Sequence, residues 1–150
     1  MIKVVGSQLI RFGFLWRVLA LDAVSYNLTT KGKTVHIVDD DPAVCASLKF
    51  ALELEGYCVH THASGQELLK DRRLRTADCV ILDYRMPGMD GLAVMSKLAS
   101  RAIAARVILM TAPVNDALRR RAARQGVFAL LEKPLLDNVL VEHVREAVSA

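Results

Sequence analysis

Five polar residues stand where apolar runs of this chain end: Asp39 and Asp40 after "TVHIV", Asp83 after "DCVIL", Thr111 after "RVILM", and Lys133 two positions beyond "VFALL". Each alone has a structural explanation, as a cap, a turn residue, a strand-end hydroxyl or a solvated amine. Together, at four of five candidate strand ends, they read as one functional crevice. Three converging carboxylates repel, a like-charge pair at 4 Å costing about 4 kcal/mol at an effective dielectric near 20, so a cation must compensate. An all-oxygen site with few protein ligands suits Mg²⁺, which keeps several waters and commonly bridges to phosphate. Lys133 adds a compact positive charge for a phosphate oxygen, Thr111 adds a hydroxyl donor, and small Ala112 leaves room beside it. Such a constellation binds or accepts a phosphoryl group. Asp83 is the candidate acceptor, because a carboxylate in line with a metal-bound phosphoryl donor becomes an acyl phosphate.

Positioning these residues requires strands that stop together at one edge. From residue 34 on, short apolar runs alternate with longer segments of helical period, the pattern of parallel strands covered on both faces. The expected strands are 34–38, 57–61, 78–82, 106–110 and 127–131. The first helix starts from Asp41 as N-cap and Pro42, repeats Val44, Leu48 and Leu52, and stops at Gly56. A short second helix is expected over 64–72 and a third after Asp90 and Gly91. The fourth, over 114–125, carries Arg119, Arg120, Arg121 and Arg124. The last, over 136–148, has Leu136, Leu140, Val144 and Ala147 on its buried stripe. Five βα units with right-handed crossovers make an α/β doubly wound parallel sheet, a three-layer sandwich in which chemistry gathers beyond the carboxyl ends of the strands.

The composition fits one such domain: 150 residues, 53% of them apolar. The net charge of +4 is uneven. Residues 1–33 hold five Lys and Arg against Asp22, which leaves fifteen basic and fifteen acidic residues from 34 onward. The globular part is therefore formally neutral, and no direct nucleic-acid binding is expected. Cys45, Cys58 and Cys79 are odd in number and lack CxxC spacing, so they read as reduced core residues of a cytoplasmic protein. His60 and His62 fall at strand spacing on one face, but two imidazoles alone do not define a metal site. Residues 1–33 read as a poorly ordered or loosely helical extension. A membrane span there would bury Gln8, Arg11 and Arg17, each central Arg costing about 2.5–3.5 kcal/mol. The segment also lacks a small-x-small cleavage site, and Arg11 and Arg17 do not share one helix face, which disfavours an interfacial helix as well.

The stretches "VHIVDDDPAV" (35–44), "ILDYRMPGMDG" (81–91), "ILMTA" (108–112) and "LLEKP" (130–134) resemble the response-regulator receiver domains of two-component signalling, with their CheY-like, flavodoxin-like fold. The resemblance covers residues 34–150. It implies Asp39 and Asp40 as the acidic pair at a Mg²⁺ site, Asp83 as phosphoacceptor and further metal ligand, Thr111 as the switch hydroxyl and Lys133 as the phosphate-binding lysine. It also implies that the backbone carbonyl of Arg85 completes the metal shell and that the Lys133–Pro134 bond is cis. The donor is expected to be a sensor histidine kinase or a phosphotransfer protein. Helix four, strand five and helix five are the expected switching surface and a phosphorylation-dependent homodimer contact. Leu130 departs from the family, which has an aromatic residue there. Phe128, two positions earlier, is expected on the same side of the strand as Leu130. Pro113 stands where relatives tune dephosphorylation. With no output domain after Ala150, the chain reads as a single-domain receiver or a truncated relative of receiver-plus-DNA-binding regulators.

Two other classes are weighed against this one. An Asp-nucleophile phosphohydrolase needs a second Asp two residues after the first, and Arg85 occupies that position. A receiver that is never phosphorylated and acts only as a protein-binding module is disfavoured by the complete acidic set. The expectation is a phosphoacceptor signalling domain, not an enzyme acting on a separate substrate.

Overall fold

The computed structural model describes residues 32–135 and 137–150. The elements are β1 (Thr34–Val38), α1 (Pro42–Leu54), β2 (Cys58–His62), α2 (Gly65–Lys70), a 3₁₀ turn (Arg72–Thr76), β3 (Cys79–Asp83), α3 (Gly91–Ser100), β4 (Arg106–Thr111), α4 (Asp116–Arg124), β5 (Ala129–Glu132) and α5 (Asp137–Ser149). All strand pairs are parallel, in the order β2-β1-β3-β4-β5. This is the expected doubly wound α/β fold. The expected extension falls, up to residue 31, outside the described residues, as does Leu136 of the last helix's stripe. Among the described residues no helix is long and apolar enough to cross a membrane.

Two apolar layers hold the helices to the sheet. On one face Val35, Ile37, Ile81, Ile108 and Met110 pack against Leu52 of α1 and Leu140, Val144 and Ala147 of α5. On the other, Val38, Val80, Leu82 and Leu109 meet Leu68 of α2, Leu92, Val94 and Leu98 of α3, and Leu118 and Ala122 of α4. Alternate residues of each strand serve opposite faces, which is why the central runs are continuously apolar. The last helix is bound by Leu140, Val144, Ala147 and Val148, all buried. By contrast α4 buries only Leu118 and Ala122, one turn apart, and leaves its four arginines exposed.

Several sequence expectations need correction. Strands two and three each run one residue later than the patterns suggest, and β5 starts at Ala129 in place of Val127. For β2 and β5 the amides before the strand are already used: Tyr57 N–H donates to Leu52 O of the preceding helix (3.2 Å), and Val127 N–H to Ala122 O (3.1 Å). The second helix is split, because the Asp71 carboxylate accepts the Arg73 amide (2.9 Å) and starts a new 3₁₀ turn. Cys58 is exposed, unlike Cys45 and Cys79, since β2 is an edge strand whose start is left uncovered. Phe128 does not share Leu130's side. It precedes the strand, packs with the α1/α5 layer and lies under the Arg106 guanidinium at 5.6 Å, whereas Leu130 packs with the opposite layer.

Candidate functional site

The helix α1 starts where Asp41 accepts the Ala43 amide (2.9 Å) with Pro42 in the first turn, as the sequence suggests. That cap turns the chain sharply after β1 and leaves the two preceding carboxylates at the strand's carboxyl end. Asp39 is 2% exposed and its Oδ1 accepts the Asp41 amide (2.9 Å), while Asp40 is exposed. The backbone of Asp39 is fixed from the side as well, its N–H donating to His62 O at the end of β2 (3.2 Å).

Asp83 is the last residue of β3 and is also buried. The loop after it is held down by two backbone bonds, from Tyr84 N–H to Met110 O (2.8 Å) and from Gly91 N–H to Tyr84 O (2.9 Å). Gly91 permits that close return: a Cβ there would sit 2.6 Å from a Leu109 methyl and 2.9 Å from the Asp83 carbonyl. One oxygen from each of Asp39, Asp40 and Asp83 lies within 4.8 Å of the others. An all-oxygen set of this size fits a hard divalent cation such as Mg²⁺.

Lys133 enters from the far side of the sheet. Its amide donates to Thr111 O (2.8 Å), and the Lys133–Pro134 bond is cis, as is the unanticipated Ala112–Pro113 bond. Its ammonium donates to Asp39 Oδ2 (2.8 Å) and lies 3.2 Å from Asp83 Oδ1. Burial works against that charge, but the hydrogen bond to Asp39 and the two carboxylates outweigh it and raise the Lys133 pKa. Burial has the opposite consequence at Asp83, lifting its carboxyl above the ordinary value, with Lys133 opposing and Asp39 reinforcing the shift. Thr111 is fully buried, and its Oγ1 has no hydrogen-bond partner among the described residues. Buried hydroxyls are generally hydrogen-bonded, so Thr111 is an exception, at the strand end whose carbonyl receives the Lys133 amide.

Asp39, Asp83 and Lys133 are thus in contact, Asp40 brings an oxygen within 4.8 Å of the other two carboxylates, and Thr111 ends β4 at the same edge. Arg85 is exposed, and what reaches the Asp83 carboxylate from it is its backbone amide. The sequence reading overlooked His36. This fully buried β1 residue pairs in register with His60, and its Nδ1 lies 2.9 Å from His62 Nε2.

A parallel sheet with carboxylates, a hydroxyl and a lysine at its carboxyl edge defines the CheY-like receiver class. The family model for the response regulator receiver domain matches residues 35–145. The chain is 35% identical over 119 residues to the C4-dicarboxylate transport transcriptional regulatory protein DctR of Rhodobacter capsulatus, covering 78% of this chain and 60% of that protein. It therefore spans little more than half the length of such relatives. FixJ-N, known from a crystal structure, is 30% identical with a TM-score of 0.70, over 79% of this chain and 95% of that one. A chain of the CheX-CheY-BeF3-Mg complex from Borrelia burgdorferi is 28% identical with a TM-score of 0.72, over 77% of this chain and 89% of that one. The chain belongs to the response regulator receiver domain family of two-component systems.

Proposed function

We propose that residues 34–150 form a receiver that takes a phosphoryl group onto Asp83 from a phosphohistidine of a sensor kinase or phosphotransfer protein. The observation that carries this reading is the ammonium of Lys133 held between Asp39 and Asp83, at the sheet edge where the buried hydroxyl of Thr111 has no partner among the described residues. An Asp83 carboxylate oxygen forms the new bond to phosphorus as the phosphorus–nitrogen bond of the donor breaks. The electron pair of that bond stays on the departing imidazole, which takes up a proton from solvent.

Asp39, Asp40 and Asp83 would hold Mg²⁺, with the Arg85 backbone carbonyl as a further ligand. The similar Borrelia protein forms a complex that includes both BeF3 and Mg, which supports this assignment. When bound, the ion supplies charge neutralisation for the carboxylates and for the incoming oxygens. The chain's own groups do the rest. Lys133 can exchange an aspartate oxygen for a phosphoryl oxygen, and the Thr111 hydroxyl gains an acceptor that it otherwise lacks. Two hydrogen bonds to a charged group are worth about 1.5–3 kcal/mol each. Their sum is comparable to the roughly 5.5 kcal/mol that takes a two-state equilibrium from 1:99 to 99:1.

The expected readout is a shift of the α4, β5 and α5 surface toward a protein partner or a second copy. Leu130, in place of an aromatic residue, packs against the apolar layer that includes Leu118 of α4, so the movement would be carried by aliphatic packing. The test is incubation of wild type and Asp83→Asn with acetyl phosphate and Mg²⁺, followed by intact mass and oligomeric state. Wild type should gain the mass of one phosphoryl group and the variant none. No adduct on wild type would instead favour a protein-binding module that is not phosphorylated.

A further inference from the structure

The face of the sheet opposite α1 and α5 carries a second cluster, whose side chains are distinct from those of the oxygen-rich crevice. Parallel pairing places His36 of β1 opposite His60 of β2, and His62 lies one pair further along the same face. The rings of His36 and His62 lie end to end and nearly coplanar, with centroids 5.2 Å apart and planes 6° apart, and the centroids of His36 and His60 are 5.1 Å apart. Asp71, at the junction of α2 and the 3₁₀ turn, brings Oδ2 to 3.8 Å from His62 Nε2. One donor atom from each of His36, His62 and Asp71 lies within 4.8 Å of the other two.

As a plain core contact this arrangement is poor. The 2.9 Å approach of His36 Nδ1 to His62 Nε2 satisfies one hydrogen and one lone pair. Whichever ring is the donor, His36 Nε2 remains buried with no partner among the described residues. A buried unpaired polar atom costs about 1–3 kcal/mol, a cost that ligation through Nδ1 leaves in place. Two imidazoles and a carboxylate from three separate elements are, however, a common ligand set for a borderline divalent metal.

We infer that His36, His62 and Asp71 form a binding site for a Zn²⁺-class transition-metal ion that clamps β1, β2 and the turn after α2 together. Zinc–nitrogen bonds of about 2.0–2.1 Å at a tetrahedral angle set two ligand nitrogens about 3.3 Å apart, so the imidazoles need to part by a few tenths of an ångström and to tilt until both lone pairs converge on the ion. The hydrogen between them moves to the far nitrogen of the same ring, freeing both lone pairs without net loss of a proton. Burial, then the neighbouring imidazoles, hold the His36 pKa at about 4, and burial lowers those of His60 and His62, so these rings are neutral near pH 7. Neutral imidazole is the ligating form. The competitor is Arg73, which donates to Asp71 through Nε (2.9 Å) and Nη2 (2.7 Å). Its side chain is 60% exposed and can swing into water as the ion enters from the edge-strand side. The nitrogen-containing set distinguishes this site from the acidic crevice, whose oxygens favour Mg²⁺.

The test uses the full chain carrying Asp83→Asn, so that the crevice is disabled, titrated with Zn²⁺ in excess Mg²⁺ by calorimetry. One equivalent should bind, and His62→Gln and Asp71→Asn should each weaken it at least about tenfold, with far-UV circular dichroism showing both variants folded. Co²⁺ in the chain with both ligands intact should give visible ligand-field bands of a tetrahedral site without a thiolate charge-transfer band. No uptake of Zn²⁺, affinity unchanged in both variants, or a thiolate band placing Cys58 in the shell in place of Asp71 would each overturn the assignment. Cys58→Ser and His60→Gln are the controls, and both should bind Zn²⁺ as the parent does.

Discussion

Replacing Lys133 with methionine keeps most of the side chain's length and removes its charge, which isolates what that charge does between two buried carboxylates. The ammonium sits 2.8 Å from Asp39 Oδ2 and 3.2 Å from Asp83 Oδ1, and those side chains are only 1% and 7% exposed. At an effective dielectric near 20 the two attractions are about 6 and 5 kcal/mol in gross terms, set against a mutual repulsion of the carboxylates of several kcal/mol. Most of the gross attraction offsets desolvation, and the measured cost of removing one partner of a buried ion pair is about 3–5 kcal/mol. Because the lysine side chain is itself 27% exposed, water relieves part of the deficit, and the lower end, about 3 kcal/mol, is expected. For a domain of this size that lowers the melting temperature by about 12 °C. The assay is thermal or urea unfolding of wild type and Lys133→Met in EDTA, repeated in Mg²⁺. A bound cation should restore much of the lost stability, so the Mg²⁺-induced increase should be larger in the variant. Equal stability of the two proteins in EDTA, with equal Mg²⁺ shifts, would refute the idea that Lys133 neutralises the pair.

Gly91→Ala should cost about 1–3 kcal/mol by forcing a methyl group against Leu109 and the Asp83 carbonyl, read as a shift of the urea midpoint without a change in slope. The cysteines should separate kinetically under iodoacetamide at pH 9.0, where an unperturbed thiol is half ionised. Exposed Cys58 should react first, whereas Cys79, whose thiol burial pushes up to about 12, should resist until the protein unfolds. The same shift has a defined sign for stability. Between the ordinary value of 9.0 and about 12 the unfolded chain releases the Cys79 proton and the folded chain keeps it, so stability falls as pH rises through that window. Cys79→Ala should flatten that alkaline slope in a urea titration series.

Most of the fold was legible because the strands are buried on both faces and therefore continuous in apolar character. β1 over Thr34–Val38 and the cap at Asp41 are where local pattern alone places them. Local pattern failed where an amide was committed elsewhere. Tyr57 and Val127 look like strand residues, yet their N–H groups close the preceding helices. The acidic crevice could be read because each of its residues ends an apolar run, a signal that survives without knowledge of strand order. The histidine cluster could not. His36 sits inside the run "TVHIV", and only the pairing of β1 with β2 brings it opposite His60. Likewise nothing short of the backbone path shows that Phe128 and Leu130 serve different layers, since the two-residue alternation of a strand does not extend to a residue before it begins.

The sparse seating of α4 bears on how little force is required to move it. A single leucine and one alanine anchor nine residues, and fully burying a leucine is worth only about 1.5–3 kcal/mol. That is the same scale as one hydrogen bond to a charged group, so an event at the carboxyl edge of the sheet is energetically matched to unseating this helix but not α5 with its four buried anchors. The molecule thus has a loose panel and a fixed one on its two sides, and the loose panel is the one faced with arginine.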